Sequence, residues 1–208
     1  IQFKEGALAL KEGSSASGGA VHLSNSISNI DKTVFSGNKV VSEYTASDVI
    51  ASGGAIATSS ASGNRKGKHF ITAAFDNNSV TSEGTAQGGA IAALDVAKTD
   101  NVVTVNIDNS SITNNTAVSK GSIANAGAMG GAIYAGKLNF VNLNNSVIDS
   151  NAASSSSSNS GDVKYGGGGA YVADKAILTA TDTSFTNNKA TGTAASGGAI
   201  FVAKGGTA

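Results

Sequence analysis

The sequence predicts an all-β protein built as a right-handed parallel β-helix, a solenoid of about six coils with three short strands each. Three observations support this prediction. A glycine-rich tetrapeptide recurs along the chain, a second short motif alternates with it, and apolar and polar side chains alternate with a period of two between them. Repeats of about 20 to 50 residues are typical of solenoids, and a period of two is typical of strands.

The first motif is Gly-Gly-Ala followed by a large residue. Glycine weakens a strand but permits a positive φ, so a glycine pair indicates a sharp turn that leads into a strand. In stacked coils the large residues are expected to lie above one another and point inward. The six copies are Gly18, Gly19, Ala20 and Val21; Gly53, Gly54, Ala55 and Ile56; Gly88, Gly89, Ala90 and Ile91; Gly130, Gly131, Ala132 and Ile133; the variant Gly168, Gly169, Ala170 and Tyr171; and Gly197, Gly198, Ala199 and Ile200.

The second motif is a large apolar residue followed three positions later by asparagine, with one copy between successive glycine motifs. The apolar residues are expected to form a second inward column. Asparagine tolerates a left-handed backbone and its amide can bond to a stacked amide, so the asparagines indicate a turn column. The copies are Phe35 with Asn38, Phe75 with Asn78, Ile112 with Asn115, Ile148 with Asn151, and Phe185 with Asn188.

Short alternating runs mark the strands. In the last full unit we expect strands over residues 170–173, 176–180 and 184–187. Coils stacked about 4.8 Å apart would form a rod roughly 29 Å long, and right-handed winding is the default for parallel crossovers. The whole chain, 1–208, is expected to be one β-helical domain, with a serine-rich protruding loop over residues 152–161.

Composition limits the possible functions. The chain has 14 basic and 14 acidic residues, so there is no electrostatic reason to expect nucleic acid or an anionic membrane as a partner. It has no cysteine for disulfides or thiolate metal sites. It starts at Ile1 without a leader and ends inside the repeat pattern, so we expect a fragment of a longer protein.

The alternating Gly-Gly-Ala-Ile/Val and Phe-x-x-Asn motifs, such as those at Gly53–Ile56 and Phe75–Asn78, resemble the repeats of the chlamydial polymorphic membrane proteins. The resemblance covers nearly the whole chain. It implies a β-helical autotransporter passenger that is displayed at the bacterial outer membrane, or released from it, and acts as an adhesin in virulence. The chain departs from the family in lacking both cysteine and proline, which also fits another β-helical autotransporter.

Two alternatives to an adhesin remain: a carbohydrate-active β-helix enzyme and a structural stalk without binding activity. For the enzyme, Asp76 and Asp149 occupy the same motif position two coils apart. Stacking would separate them by roughly 9.6 Å, near the upper limit for an inverting carboxylate pair. Ser36, Thr113 and Thr186 fill that position elsewhere, which favours an ordinary polar turn. We therefore expect no catalytic residues, no metal and no cofactor.

The remaining candidates are surface contacts. The densest positive cluster, Arg65, Lys66, Lys68 and His69, could touch sulfated glycans. The column two residues after the motif alanine is expected to face outward and to expose aromatic side chains, among them Tyr134 and Phe201. We assign to this column His22, Ala57, Ala92, Tyr134, Val172 and Phe201. The expected partner is a host-cell receptor or glycan, and unpaired strand edges at the ends favour self-association.

Overall fold

The repeated motifs wind the chain into a parallel β-solenoid. A computed structural model describes residues 1–12, 15–45, 49–60, 66–121, 126–156 and 165–208. Within these residues every strand pairing is parallel and joins strands one turn apart, and no α-helix occurs. The predicted all-β solenoid is confirmed. It has six stacked layers, about five full turns from the first to the last.

The strands follow one another in the same order in each layer. Layer one holds β1 (Gln2–Lys4), β2 (Ala7–Leu10), β3 (Ser15–Ser17) and β4 (Val21–Ser24). Layer two holds β5 (Ile27–Ser36), β6 (Lys39–Ser42), β7 (Ile50–Ser52) and β8 (Ile56–Ser59). Layer three holds β9 (Gly67–Asp76), β10 (Ser79–Ser82), β11 (Thr85–Gln87) and β12 (Ile91–Ala93).

The later layers divide the long first strand into two. Layer four holds β13 (Val103–Asp108), β14 (Ser111–Thr113), β15 (Thr116–Ser119), β16 (Ala128–Met129) and β17 (Ile133–Ala135). Layer five holds β18 (Phe140–Asn144), β19 (Val147–Asp149), β20 (Ala152–Ser155), β21 (Tyr165–Gly166) and β22 (Ala170–Val172). Layer six holds β23 (Ile177–Thr181), β24 (Ser184–Thr186), β25 (Lys189–Thr191), β26 (Ala195–Ser196) and β27 (Ile200–Val202). A 3-10 turn, Thr99–Asn101, precedes β13.

The strands of successive layers form four sheets. Sheet 1 has nine strands. They are β1, the long strands β5 and β9, and the pairs β13 and β14, β18 and β19, and β23 and β24, which replace the long strand in the later layers. Sheets 2, 3 and 4 have six strands each and run β2 to β25, β3 to β26 and β4 to β27. The three strands predicted for the last full unit correspond to β22, β23 and β24. β25 and β26 were not predicted, because their small polar residues carry no apolar alternation.

The core lies between the sheets and consists of stacked columns. One column contains Phe3, Phe35, Phe75, Ile112, Ile148 and Phe185. The Phe35 and Phe75 rings stack with centroids 4.9 Å apart and planes within 4°. Parallel strands place equivalent side chains directly above one another, so a repeated phenylalanine becomes a continuous stack.

The serine-rich segment begins as a strand, which corrects part of the predicted loop. Ala152–Ser155 form β20, which pairs with β15 and β25 in sheet 2. Alternate residues Ala153 and Ser155 point inward and are buried. Small side chains suit this narrow corner of the solenoid, and serine content alone does not prevent pairing. Residues 157–161 of the predicted loop lie outside the described residues.

Candidate functional site

The Gly-Gly turn connects sheets 3 and 4, and its two glycines have different roles. Gly53 has a φ of 62°, a left-handed conformation that costs glycine little. Gly54 lies against backbone: a Cβ there would be 2.1 Å from the Gly89 carbonyl oxygen and 2.7 Å from the Ser79 nitrogen. The first glycine makes the turn, and the second allows it to contact the next layer and the opposite wall.

The fifth copy of this motif begins one residue earlier than predicted. Gly167 has the positive φ of the turn, 63°, and its carbonyl accepts from the Gly131 N–H. Ala170, not Tyr171, pairs with Ile133 and Ile200. Because four consecutive glycines precede Ala170, the sequence does not show which two of them form the turn. The hydrogen bonds to the neighbouring layers do. Gly168 and Gly169 therefore occupy the second-glycine and alanine positions.

The asparagines of the second motif form a buried ladder. Asn78 accepts at Oδ1 from both the backbone N–H and the side-chain amide of Asn38, at 3.0 and 2.9 Å. Its own amide donates to the Phe35 carbonyl and to Asn115 Oδ1. The same bonds continue through Asn151 to Asn188. Each amide is used by the fold, so this column offers nothing to a ligand.

The structure contains a sixth copy of the second motif, which was not predicted from the sequence. Phe3 pairs with Phe35, and their rings stack with centroids 5.0 Å apart. Gly6 stands at the asparagine position and donates its N–H to Asn38 Oδ1. The available signal was a phenylalanine one repeat before Phe35, but glycine in place of asparagine concealed it.

The predicted exposed aromatic column is wrong in one member and in its exposure. Tyr171, rather than Val172, stacks between Tyr134 and Phe201. Tyr134 is 3% exposed and Tyr171 7%, while Phe201 is half-buried. Leu94 and Met129 pack on this second apolar cluster. These tyrosines are large enough to contact each other and the flanking segments. They therefore form a separate small apolar core on the outer side of sheet 4.

Hydrogen bonding and burial fix the chemistry of these phenols. Tyr134 OH donates to Asp95 Oδ1 at 2.8 Å. Burial raises the pKa of Tyr134 well above its ordinary value, and the negative charge of Asp95 adds to this effect. Burial, with a smaller effect of Asp95, raises the pKa of Tyr171 to about 12. Both phenols are therefore neutral donors at physiological pH.

The predicted basic cluster does not form as a unit. Arg65 lies outside the described residues, while Lys66 and Lys68 are exposed. His69 is fully buried, because alternation along β9 directs it inward. Its Nδ1 hydrogen-bonds with Ser28 Oγ at 2.9 Å, and its Nε2 has no hydrogen-bond partner among the described residues. Burial lowers the pKa of His69, so the imidazole is neutral and belongs to the core.

The two aspartates considered for catalysis are acceptors in turn ladders. Asp76 Oδ1 accepts from Thr113 Oγ1 and Asn114 Nδ2. Asp149 accepts from Thr186, Asn187 and Ser150. These hydrogen bonds lower the pKa of Asp149, whereas a general acid needs a raised pKa. In the described part of the chain, no group of three or more His, Asp or Glu side chains could hold a metal ion.

A different surface exposes large apolar side chains on the outer side of sheet 1. Ile27 is 77% exposed, Phe70 41% and Ile177 36%, and Phe140 is half-buried. We call these four residues the outer apolar face. Ile27, Lys68, Thr104, Phe140 and Ile177 are successive register partners, so the face extends about 19 Å along the solenoid.

Polar groups lie within and beside this face, since Lys68 and Thr104 stand between Ile27 and Phe140. Lys68 Nζ lies 5.1 Å from the centroid of the Phe70 ring, within the range of a cation–π contact. Asn29 and Asn106 are the register partners of Phe70 on either side. The sequence reading missed this surface because alternation alone does not identify which of two faces is inside.

Comparison with known proteins identifies one of the repeats. The family model for the Chlamydia polymorphic membrane protein (Chlamydia_PMP) repeat matches residues 182–203, which include Phe185–Asn188 and Gly197–Ile200. Searches of curated proteins and of solved structures found no match. Among the described residues no helix is long and apolar enough to cross a membrane. The matched segment covers β24 to β27 of layer six, and its two motifs recur in earlier layers. The repeat match supports the assignment of this chain to the chlamydial polymorphic membrane protein family.

Proposed function

We propose that the chain is part of an autotransporter passenger that is displayed at the bacterial outer membrane and acts, without enzymatic activity, as an adhesin toward host cells. The repeat match and the solenoid fold support a passenger-like protein. The outer apolar face is the observation that carries the adhesive function. It presents Ile27, Phe70 and Ile177 to solvent on a continuous parallel sheet.

The physical argument concerns exposed apolar area on a rigid support. Large apolar side chains exposed together on one face mark interaction sites, and aromatic side chains dominate the energy of many interfaces. Phe70 projects from the middle of ten-residue β9, which is paired on both sides. Little backbone entropy is lost when such a surface binds. Lys68 and Thr104 lie between Ile27 and Phe140, and Asn29 and Asn106 lie beside Phe70. A receptor protein at the host-cell surface, which offers both apolar and polar groups, fits this face.

The test measures saturable binding of the fluorescently labelled chain to cultured epithelial cells. The double variant Ile27→Ser/Phe70→Ser removes two exposed apolar side chains of the face. We expect it to bind at least about tenfold more weakly, since burial of each side chain contributes to affinity. Circular dichroism should show unchanged β structure, because both side chains are exposed.

Leu8→Ser is the matched control, since Leu8 is 38% exposed but lies on sheet 2. It should bind like the parent chain. A folded parent chain without saturable binding would contradict the adhesin and favour a structural stalk. Binding that the double variant retains would instead contradict the assignment of adhesion to this face. The variant Phe35→Ser/Phe75→Ser/Phe185→Ser disrupts the core and provides the unfolded reference.

A further inference from the structure

A groove of about 210 Å³ opens on the outer side of sheet 3, bordered by the segment that follows β12. Ser17, Ser52 and Gln87 are stacked register partners along its length. Ile50, Leu94 and Asp95 also line it. The groove lies on a different sheet from the outer apolar face, so what it binds is independent of adhesion through that face.

The groove exists because two alanines interrupt a set of paired side chains. Across the Gly-Gly turn, the residue before the glycines faces the residue two after the motif alanine. In layer one these are Ser17 and His22, hydrogen-bonded at 3.1 Å. In layer four Met129 and Tyr134 pack in one cluster. Layers two and three have Ala57 and Ala92 at the second position, and alanine is too short to cross the turn.

The buried polar group of the groove is the Gln87 amide. Gln87 is only 7% exposed. Its Oε1 accepts from Ser52 Oγ at 3.0 Å, which orients the amide. Its Nε2 has no hydrogen-bond partner among the described residues and remains a donor in the groove. A ligand that fills the groove would cut this N–H off from water, so it must offer an acceptor to avoid a desolvation penalty.

The rim supplies an acceptor and the walls are apolar. Asp95 uses Oδ1 to accept from Tyr134 OH and from the Lys137 backbone N–H. Its Oδ2 has no partner in the described part of the chain. Ile50 is 38% exposed and Leu94 is half-buried. No described lysine or arginine lines the groove.

We infer that this groove binds one neutral pyranose ring of a glycan. An anionic ligand would meet the Asp95 carboxylate without a compensating cation. A purely apolar ligand would leave the Gln87 donor buried and unpaired. A cation would face the positive end of the Gln87 N–H group, which repels it. A pyranose has hydroxyls that accept from Gln87 Nε2 and donate to Asp95 Oδ2, and it has C–H groups for Ile50 and Leu94. The volume is below the roughly 300–1,000 Å³ of pockets for drug-sized ligands, so it suits a single ring.

The experiment is an NMR titration of the whole chain with the methyl glycosides of glucose, galactose, mannose and N-acetylglucosamine. The chain has only two glutamines, Gln2 and Gln87, so the Gln87 side-chain amide can be assigned. We expect at least one glycoside to shift this amide and the methyl signals of Ile50 and Leu94. Gln87→Met, which removes the donor at similar size, should weaken that binding by about fivefold.

Further variants separate the site from general effects. Ser15→Trp places a large ring at the exposed groove rim and should abolish the shifts while the far-UV spectrum is unchanged. Asp149→Asn changes a carboxylate on sheet 1 and should leave binding as in the parent chain. Three results would overturn the inference: no glycoside shifts the Gln87 amide, Ser15→Trp binds as well as the parent, or n-butylammonium or N-acetylneuraminic acid binds more tightly than every neutral glycoside.

Discussion

Asn78 and Asn115 lie one above the other in adjacent layers, and Asn115 Oδ1 accepts two hydrogen bonds from Asn78. One comes from the Asn78 backbone N–H and the other from its side-chain amide, both at 2.9 Å. Asn115 also donates to the Phe75 carbonyl. Its amide also donates to Asn151 Oδ1 at 3.0 Å. A single side chain thus satisfies four polar groups in a column that is fully buried from Asn38 to Asn151, where unpaired groups would be costly.

Asn115→Ala should therefore lower the free energy of unfolding by about 3–5 kcal/mol, because it leaves two Asn78 donors and the Phe75 carbonyl unpaired. Urea denaturation followed by circular dichroism measures the loss. Asn29→Ala is the control, since Asn29 is exposed on β5; a change within about 0.5 kcal/mol is expected there. Equal effects of the two substitutions would refute the ladder as a source of stability.

Gly54→Ala should be among the most damaging single changes. The added Cβ would lie 2.1 Å from the Gly89 carbonyl oxygen, and backbone in a stacked layer cannot yield cheaply. We expect a loss of at least about 3 kcal/mol, measured by urea denaturation.

Gly37→Asn is the matched glycine control. Gly37, unlike Gly54, has a positive φ, but among the described residues no neighbouring atom lies closer than 3.7 Å to an added Cβ. The equivalent positions Asn77, Asn114 and Asn187 already hold asparagine with positive φ. Gly37→Asn should change stability by no more than about 0.5 kcal/mol. If Gly54→Ala is tolerated, or Gly37→Asn is damaging, then close backbone contact is not what makes Gly54 necessary.

His69 should make stability depend on pH. Burial lowers its pKa in the fold, so below the ordinary value of about 6.5 the unfolded chain binds more protons than the folded chain. Stability is therefore fully present above about pH 6.5 and declines as the pH falls through the folded pKa. The decline corresponds to at most one proton.

The measurement for His69 is the urea midpoint at a series of pH values between about 8 and 5. His69→Val, which matches its stacked neighbours Val105 and Val141, should remove most of the decline. His22→Val should preserve it, because His22 is exposed. A decline that persists unchanged in His69→Val would show that another group is responsible.

Tyr171 should ionise late, with a pKa of about 12 that results mainly from burial. Because the folded pKa is raised, its contribution to stability is complete below the unfolded value of about 10 and is lost as the pH rises through the folded pKa. Ultraviolet titration of the phenolate band, with the parent compared to Tyr171→Phe, isolates this component. Tyr44→Phe should leave it in place. If Tyr171→Phe instead removes a phenolate component that titrates near pH 10, burial does not raise the pKa of Tyr171.

Much of the architecture follows from recurrence in the sequence. Parallel stacking places equivalent residues above one another, so the repeated Phe-x-x-Asn motif was sufficient to predict that Phe35 stacks on Phe75 and that Asn38 lies over Asn78. Glycine chemistry was sufficient to predict a turn at Gly53. Candidate contact surfaces were harder to predict, because Tyr134 and His69 became buried while Phe70 remained exposed.

The sequence by itself determined the fold class, the repeat and the identity of the main core columns, because these depend on local turn chemistry and on a period of two. Only the tertiary structure decided the frame among the four glycines before Ala170, the inward direction of His69 and the packing of Tyr134 on Tyr171. A frame shift or a reversal of faces leaves composition and local pattern almost unchanged. The hydrogen bonds and ring contacts between layers distinguish the alternatives, and they form only when residues about one repeat apart are brought together.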